Sequence, residues 1–167
     1  KSYFDNEELS YTLSAESWTN QNIIVTIVRK PEYSAYSFSM NSDSVNYQSD
    51  NSFEVPTNGM LHLSVKTKGG KEVKKSIEIQ NIDKVKPKVS YQIDNGTVKI
   101  VATDNSGDPL LYSWNGEKYG SSSEKKYQKD SKNQIVKVKD CASNIAMISF
   151  DVILPKSSSM ENNQSSN

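Results

Sequence analysis

The chain has 167 residues, a formal net charge of zero, an apolar content of 34% and a mean hydropathy of −0.70. That composition suits thin-cored β modules and not a large enzyme with a deep interior. A balanced charge without a basic stripe weighs against nucleic-acid binding, and Arg29 as the sole arginine weighs against dedicated anion recognition.

In chain order, residues 1–8 form a lead-in to the first strand-like stretch. Ile23-Ile24-Val25-Thr26-Ile27-Val28 is β-branched throughout, and Trp18, just before it, is expected to cover one end of its module. Tyr36-Ser37-Phe38-Ser39-Met40 and Leu61-His62-Leu63-Ser64-Val65 alternate with a period of two, which puts one set of side chains on one face of a strand. His62 falls in the polar phase, so it is read as an outward strand residue. An elbow at Lys68-Gly69-Gly70-Lys71 leads to Ile77 and Ile79. Gln80-Asn81-Ile82-Asp83-Lys84-Val85-Lys86-Pro87 then reads as a joint, ended by a proline that cannot donate to a ladder.

Past the joint, Val89-Ser90-Tyr91 and Thr97-Val98-Lys99-Ile100-Val101-Ala102 open a second set of strands. Trp114 runs into Asn115-Gly116, a tight-turn pair. Val136 and Val138 alternate with lysines, and Ile148, Phe150 and Val152 alternate with small or acidic residues. Between these runs lies the polar elbow Asp140-Cys141-Ala142-Ser143-Asn144, which holds the only cysteine. One cysteine forms no internal disulfide, and it is read as a small turn residue, since a nucleophile needs a histidine to activate it and the only one, His62, is read as an exposed strand residue. After Pro155, residues 156–167 are Ser- and Asn-rich and are expected to form a disordered tail. No stretch is long and apolar enough to span a membrane, and the start at Lys1 is read as that of a mature or excised fragment.

The chain also resembles itself. At a shift of about 73 residues, Leu63 meets Val136, Val65 meets Val138, Ile77 meets Phe150 and Ile79 meets Val152. Tyr36 to Asn41 meets Leu110 to Asn115 at nearly the same shift, and the strand at Ile23 meets the one at Thr97. Four segments in one order at one offset predict two copies of a module. Frequent prolines, glycines and Asn/Ser clusters leave no room for long helices. The expected architecture is therefore all-β, with two tandem Ig-like or fibronectin-III-like antiparallel sandwiches over residues 9–83 and 84–155.

Three strings carry a family resemblance. "SWTNQNIIVTI" is similar to the opening of bacterial immunoglobulin-like repeats, "IEIQNIDKVKPKVSY" to the joint between such repeats, and "VKVKDCASNIAMISFDV" to their closing hairpin. The resemblance covers residues 9–154 and implies tandem modules of Gram-positive extracellular proteins. The second copy lacks the WTN opening. The first has Lys68-Gly69-Gly70-Lys71 where the repeats carry an Asp-x-Ala-Gly-Asn elbow, and Cys141 and Ser143 stand at positions that are usually variable and glycine.

Among candidate sites, Asp104, Asn105 and Asp108, with Asp140 if the loops meet, offer oxygens of the type that calcium takes. The long loop with its closing glutamate is missing, however, and the resembling repeats place a plain loop here, so an ordinary turn is the favoured reading. Tyr112, Trp114 and Tyr119 could stack on sugar rings, with core or rim packing as the simpler fate. No phosphate loop, zinc spacing or paired carboxylates point to an enzyme. A Lys–Asn isopeptide bond, known in some Gram-positive sandwiches, needs a buried Lys, Asn and carboxylate that the sequence alone does not locate. Leu154-Pro155-Lys156-Ser157-Ser158 departs from a sortase signal at two positions.

The expected role is a non-catalytic extracellular spacer or adhesion module of a surface or secreted bacterial protein, with no cofactor and no membrane insertion. Its expected partners are other domains of the parent chain and a host or cell-wall glycan or protein. The alternative is an accessory carbohydrate-binding module of a secreted enzyme.

Overall fold

A computed structural model describes residues 9–107 and 109–156. Residues 1–8, Asp108 and residues 157–167 lie outside this description, and with them the lead-in and nearly all of the expected tail. Twelve strands are present among the described residues: β1 (Tyr11–Leu13), β2 (Ile23–Ile27), β3 (Tyr33–Met40), β4 (Ser52–Val55), β5 (Gly59–Thr67), β6 (Glu72–Ile79), β7 (Lys88–Asp94), β8 (Thr97–Thr103), β9 (Leu111–Trp114), β10 (Glu124–Lys126), β11 (Ser131–Lys139) and β12 (Ile145–Val152). They fall into two compact units divided between Lys84 and Val85.

In the first unit, sheet β1-β2-β4 faces sheet β3-β5-β6, and every ladder is antiparallel. The alternation anticipated for β5 and β6 is what builds the interior. Leu61, Leu63 and Val65 point inward opposite Ile77, Lys75 and Val73, while His62 and Ser64 point outward opposite Ser76 and Lys74. Ile23, Val25 and Ile27 from β2 and Val55 from β4 close the core from the other sheet. Burying each of these aliphatic side chains is worth about 1.5–3 kcal/mol. Trp18 is 37% exposed, and Leu9, Ala15 and Tyr11 pack against the apolar cluster.

The second unit repeats that layout strand for strand, with sheets β7-β8-β10 and β9-β11-β12. Its core takes Val98 and Ile100 from β8, Trp114 from β9, Val136 and Val138 from β11, and Phe150 and Val152 from β12. Two sheets enclosing one apolar layer, with consecutive strands shared between them, is the Ig-like sandwich. Two of the tight turns use Asn-Gly. Asn95 and Gly96 between β7 and β8, like Asn115 and Gly116 after β9, all have positive φ, the conformation of a hairpin turn matched to strand twist. At Gly96 the positive φ of 84° disfavours any side chain, and a Cβ would also lie 3.2 Å from the backbone oxygen of Tyr127.

Residues 81–84 are pinned to the first unit. Ile82 exchanges hydrogen bonds with the Asn58 side chain at 2.9 Å in both directions, and Asp83 N donates to Thr19 O at 2.9 Å. Asn81 Nδ2 donates to Ser17 O at 2.8 Å. Val85, Lys86 and Pro87 are all that remain between this segment and β7.

Candidate functional site

The elbow between β11 and β12 holds Asp140, and the loop that carries Asp104 lies against it. Chain reversal there leaves backbone N–H groups pointing inward, and Asp140 supplies the acceptors. Its Oδ1 accepts from Ala142 N at 2.9 Å and from Asn144 N at 2.8 Å, and its Oδ2 accepts from Asn144 Nδ2 at 3.0 Å. Ser143 takes the left-handed φ of 71° at the position where the resembling repeats carry glycine. Asp140 is only 4% exposed. Burial pushes its carboxyl above the usual carboxylate range, the bonds from Asn144 and Ala142 pull the other way, and the nearby charge of Asp104 adds to the rise.

The loop after β8 lies against this elbow. Cys141 Sγ is 3.5 Å from Pro109 O and 3.9 Å from Gly107 O, so the lone thiol sits over the loop that holds Asp104 and Asn105. Asp104 Oδ2 accepts from Ser106 N at 2.9 Å and from Ser106 Oγ at 2.6 Å, a local Asx turn. Asn105 is exposed, and Asp108 lies outside the described residues. Each of these donors to the Asp104 and Asp140 carboxylates shapes a turn.

The three aromatic candidates do not share a surface. Trp114 is 7% exposed. Its Nε1 donates to Ser122 O at 3.0 Å, and its ring meets Phe150 edge-on with centroids 6.4 Å apart. Tyr112 is half-buried against the same core and exchanges backbone hydrogen bonds with Gly120. Tyr119 lies under Lys139, whose ammonium sits 4.2 Å from the ring centroid.

A polar cleft that sequence reasoning missed lies on the outer face of β3-β5-β6. It has a volume of about 240 Å³ and is lined by Ser37, Asp43, Ser44, His62, Ser64 and Ser76 among others. His62 Nδ1 is 2.7 Å from Ser76 Oγ and 3.6 Å from Asp43 Oδ1. Both partners share one ring nitrogen, whereas a catalytic triad places nucleophile and carboxylate on opposite nitrogens. Tyr47 hydroxyl bonds Ser64 Oγ at 2.6 Å and Glu72 Oε2 at 2.7 Å, and burial raises its phenol above the usual value. The outward phase of His62 and Ser64 was visible in the sequence, but the fold of residues 42–47 over them was not.

A lysine, an asparagine and a carboxylate also meet in the first unit. Lys84 Nζ donates to Asn22 Oδ1, and Asn22 Nδ2 donates to Glu54 Oε2 at 2.8 Å. Lys84 and Glu54 are exposed, so this trio lacks the dry enclosure of the isopeptide arrangement sought in the sequence.

No family model matches the chain, and no curated protein matches it. Among solved structures it is similar to a C-terminal 282-residue fragment of intimin in complex with the intimin-binding domain of the translocated intimin receptor, at 12% identity and a TM-score of 0.47, covering 89% of this chain and 64% of that one. It is also similar to Tp47, the 47-kilodalton lipoprotein of Treponema pallidum, at 9% identity and a TM-score of 0.26, covering 86% of this chain and 49% of that one. The chain thus spans less than two thirds of either protein.

Proposed function

We propose that the chain is a non-catalytic structural and adhesion module of an extracellular bacterial protein, acting as a spacer through its two sandwiches. The observation that carries this reading is where its distinctive side chains are used. Asp140 and Asp104 hold turns, Trp114 fills a core, and residues 81–84 anchor the connection, so that three residues separate them from the next strand. A short connection limits how far two modules swing apart. In this reading the bacterial, Gram-positive character rests on the sequence resemblance alone. The test is backbone ¹⁵N relaxation of the whole chain. A spacer gives both units the same rotational correlation time, and two correlation times, each that of a body half the size, would reject it.

A glycan-binding role has one observation in its favour, the hydroxyl-lined cleft beside His62, and it would act there and not at Trp114. Titration of the labelled chain with cell-wall disaccharide tests it. Shifts clustered at Ser37, His62, Ser64 and Ser76 support glycan binding, and an unchanged spectrum rejects it.

A further inference from the structure

The two units share strand order and register, which allows their outer faces to be compared position by position. Across β5 and β6 the outward pairs are His62 with Ser76, Ser64 with Lys74, and Lys66 with Glu72. The corresponding pairs across β11 and β12 are Ile135 with Ser149, Lys137 with Met147, and Lys139 with Ile145. Three positions that hold His62, Glu72 and Lys74 in one unit thus hold Ile135, Ile145 and Met147 in the other. These side chains are 39%, 40% and 61% exposed, and a shallow cleft of about 180 Å³ opens between Ile135 and Met147. The fold does not ask for them, since the sister unit builds the same sheet with polar residues there. Exposed apolar side chains gathered on one face mark a surface meant to be covered.

We infer that the outer face of β9-β11-β12 docks a segment of a partner protein rich in aliphatic and acidic side chains. The aliphatic part follows from the three apolar residues. The acidic part follows from Lys137 and Lys139, which share the outward phase of β11 with Ile135 and pair across the ladder with Met147 and Ile145. Among the described residues no carboxylate lies within ion-pair distance of Lys137, and Lys139 rests on the Tyr119 ring. A second copy of the chain fits less well. A two-fold contact sets the same face against itself and so would bring the lysine rows together. This inference stands apart from the spacer reading and survives its failure.

The experiment uses the ¹⁵N-labelled full chain and two synthetic octapeptides, one alternating Glu with Ile and the other Lys with Ile. The Glu–Ile peptide is expected to shift amide signals from β11 and the first half of β12, with binding that weakens as salt rises. The triple variant Ile135→His, Ile145→Glu, Met147→Lys, which carries the sister unit's own residues, is expected to lose at least fivefold in affinity. Lys137→Glu supplies a second arm should the triple variant unfold, and it is expected to transfer preference to the Lys–Ile peptide. Absence of shifts at millimolar peptide, equal binding of both peptides by the native chain, or unchanged binding by Lys137→Glu would each overturn the proposal. So would sedimentation showing a dimer of the native chain that the triple variant abolishes, since the face would then belong to a second copy.

Discussion

Asn144 closes the second closing hairpin onto Asp140 twice, with its backbone N–H on Oδ1 at 2.8 Å and its side-chain amide on Oδ2 at 3.0 Å. Both residues are buried, so neither bond is easily exchanged for water. Replacing Asp140 with Ala strands the Ala142 and Asn144 N–H groups without an acceptor. Chemical denaturation should show a loss on the order of 3 kcal/mol, confined to the second unit. A loss under about 0.5 kcal/mol, typical of a surface position, would mean that the elbow does not depend on this carboxylate.

The same carboxylate sets a pH dependence. Burial raises its pKa in the folded chain, so between the ordinary carboxylate value and the raised one the folded state binds more protons than the unfolded state. Stability contributed by this group is therefore highest at acid pH and is lost as pH rises through that window. Asp140→Asn removes the titration. The stability of the variant relative to the native chain should rise as pH climbs from the ordinary carboxylate value through the raised one, and a flat difference would contradict the raised pKa.

If the Asp104 and Asp140 acceptors serve only turns, chelation should leave the second unit's melting temperature unchanged. A fall of several degrees on adding EDTA, restored by calcium, would assign the loop a metal instead.

The two tryptophans should separate cleanly. In Trp18→Phe, the remaining Trp114 should emit at short wavelength and resist acrylamide, as its burial requires. In Trp114→Phe, the remaining Trp18 should be readily quenched. Easy quenching of Trp114 would open its ring to the stacking role that its place in the core denies.

How far the sequence could be read depends on what each residue's environment does to it. Val136, Val138, Phe150 and Val152 were legible because a period of two marks a buried face, and the offset of 73 is repeated as matching registers in β5–β6 and β11–β12. The Asn-Gly turn after Trp114 was legible from residue type alone. The exposure of Trp18 is not legible in the sequence, because an aromatic side chain next to a strand has no periodicity to fix its direction. The outward phase of Ile145 and Met147 is not legible in the sequence, because Ala146 and Ile148, which alternate with them, are apolar too and a period of two does not separate the faces there. The cleft at His62 depends on an irregular segment crossing from another part of the chain, which no local pattern encodes.

The central claim is that each unit is held by its own apolar layer, and amide hydrogen exchange on the intact chain carrying Val138→Ala tests it most directly. The substitution removes a buried side chain and should cost roughly 2–3 kcal/mol. Protection should fall in β8, β9, β11 and β12 while β2, β3, β5 and β6 exchange as in the native chain. Equal loss of protection in both halves, or none in either, would contradict two separate cores.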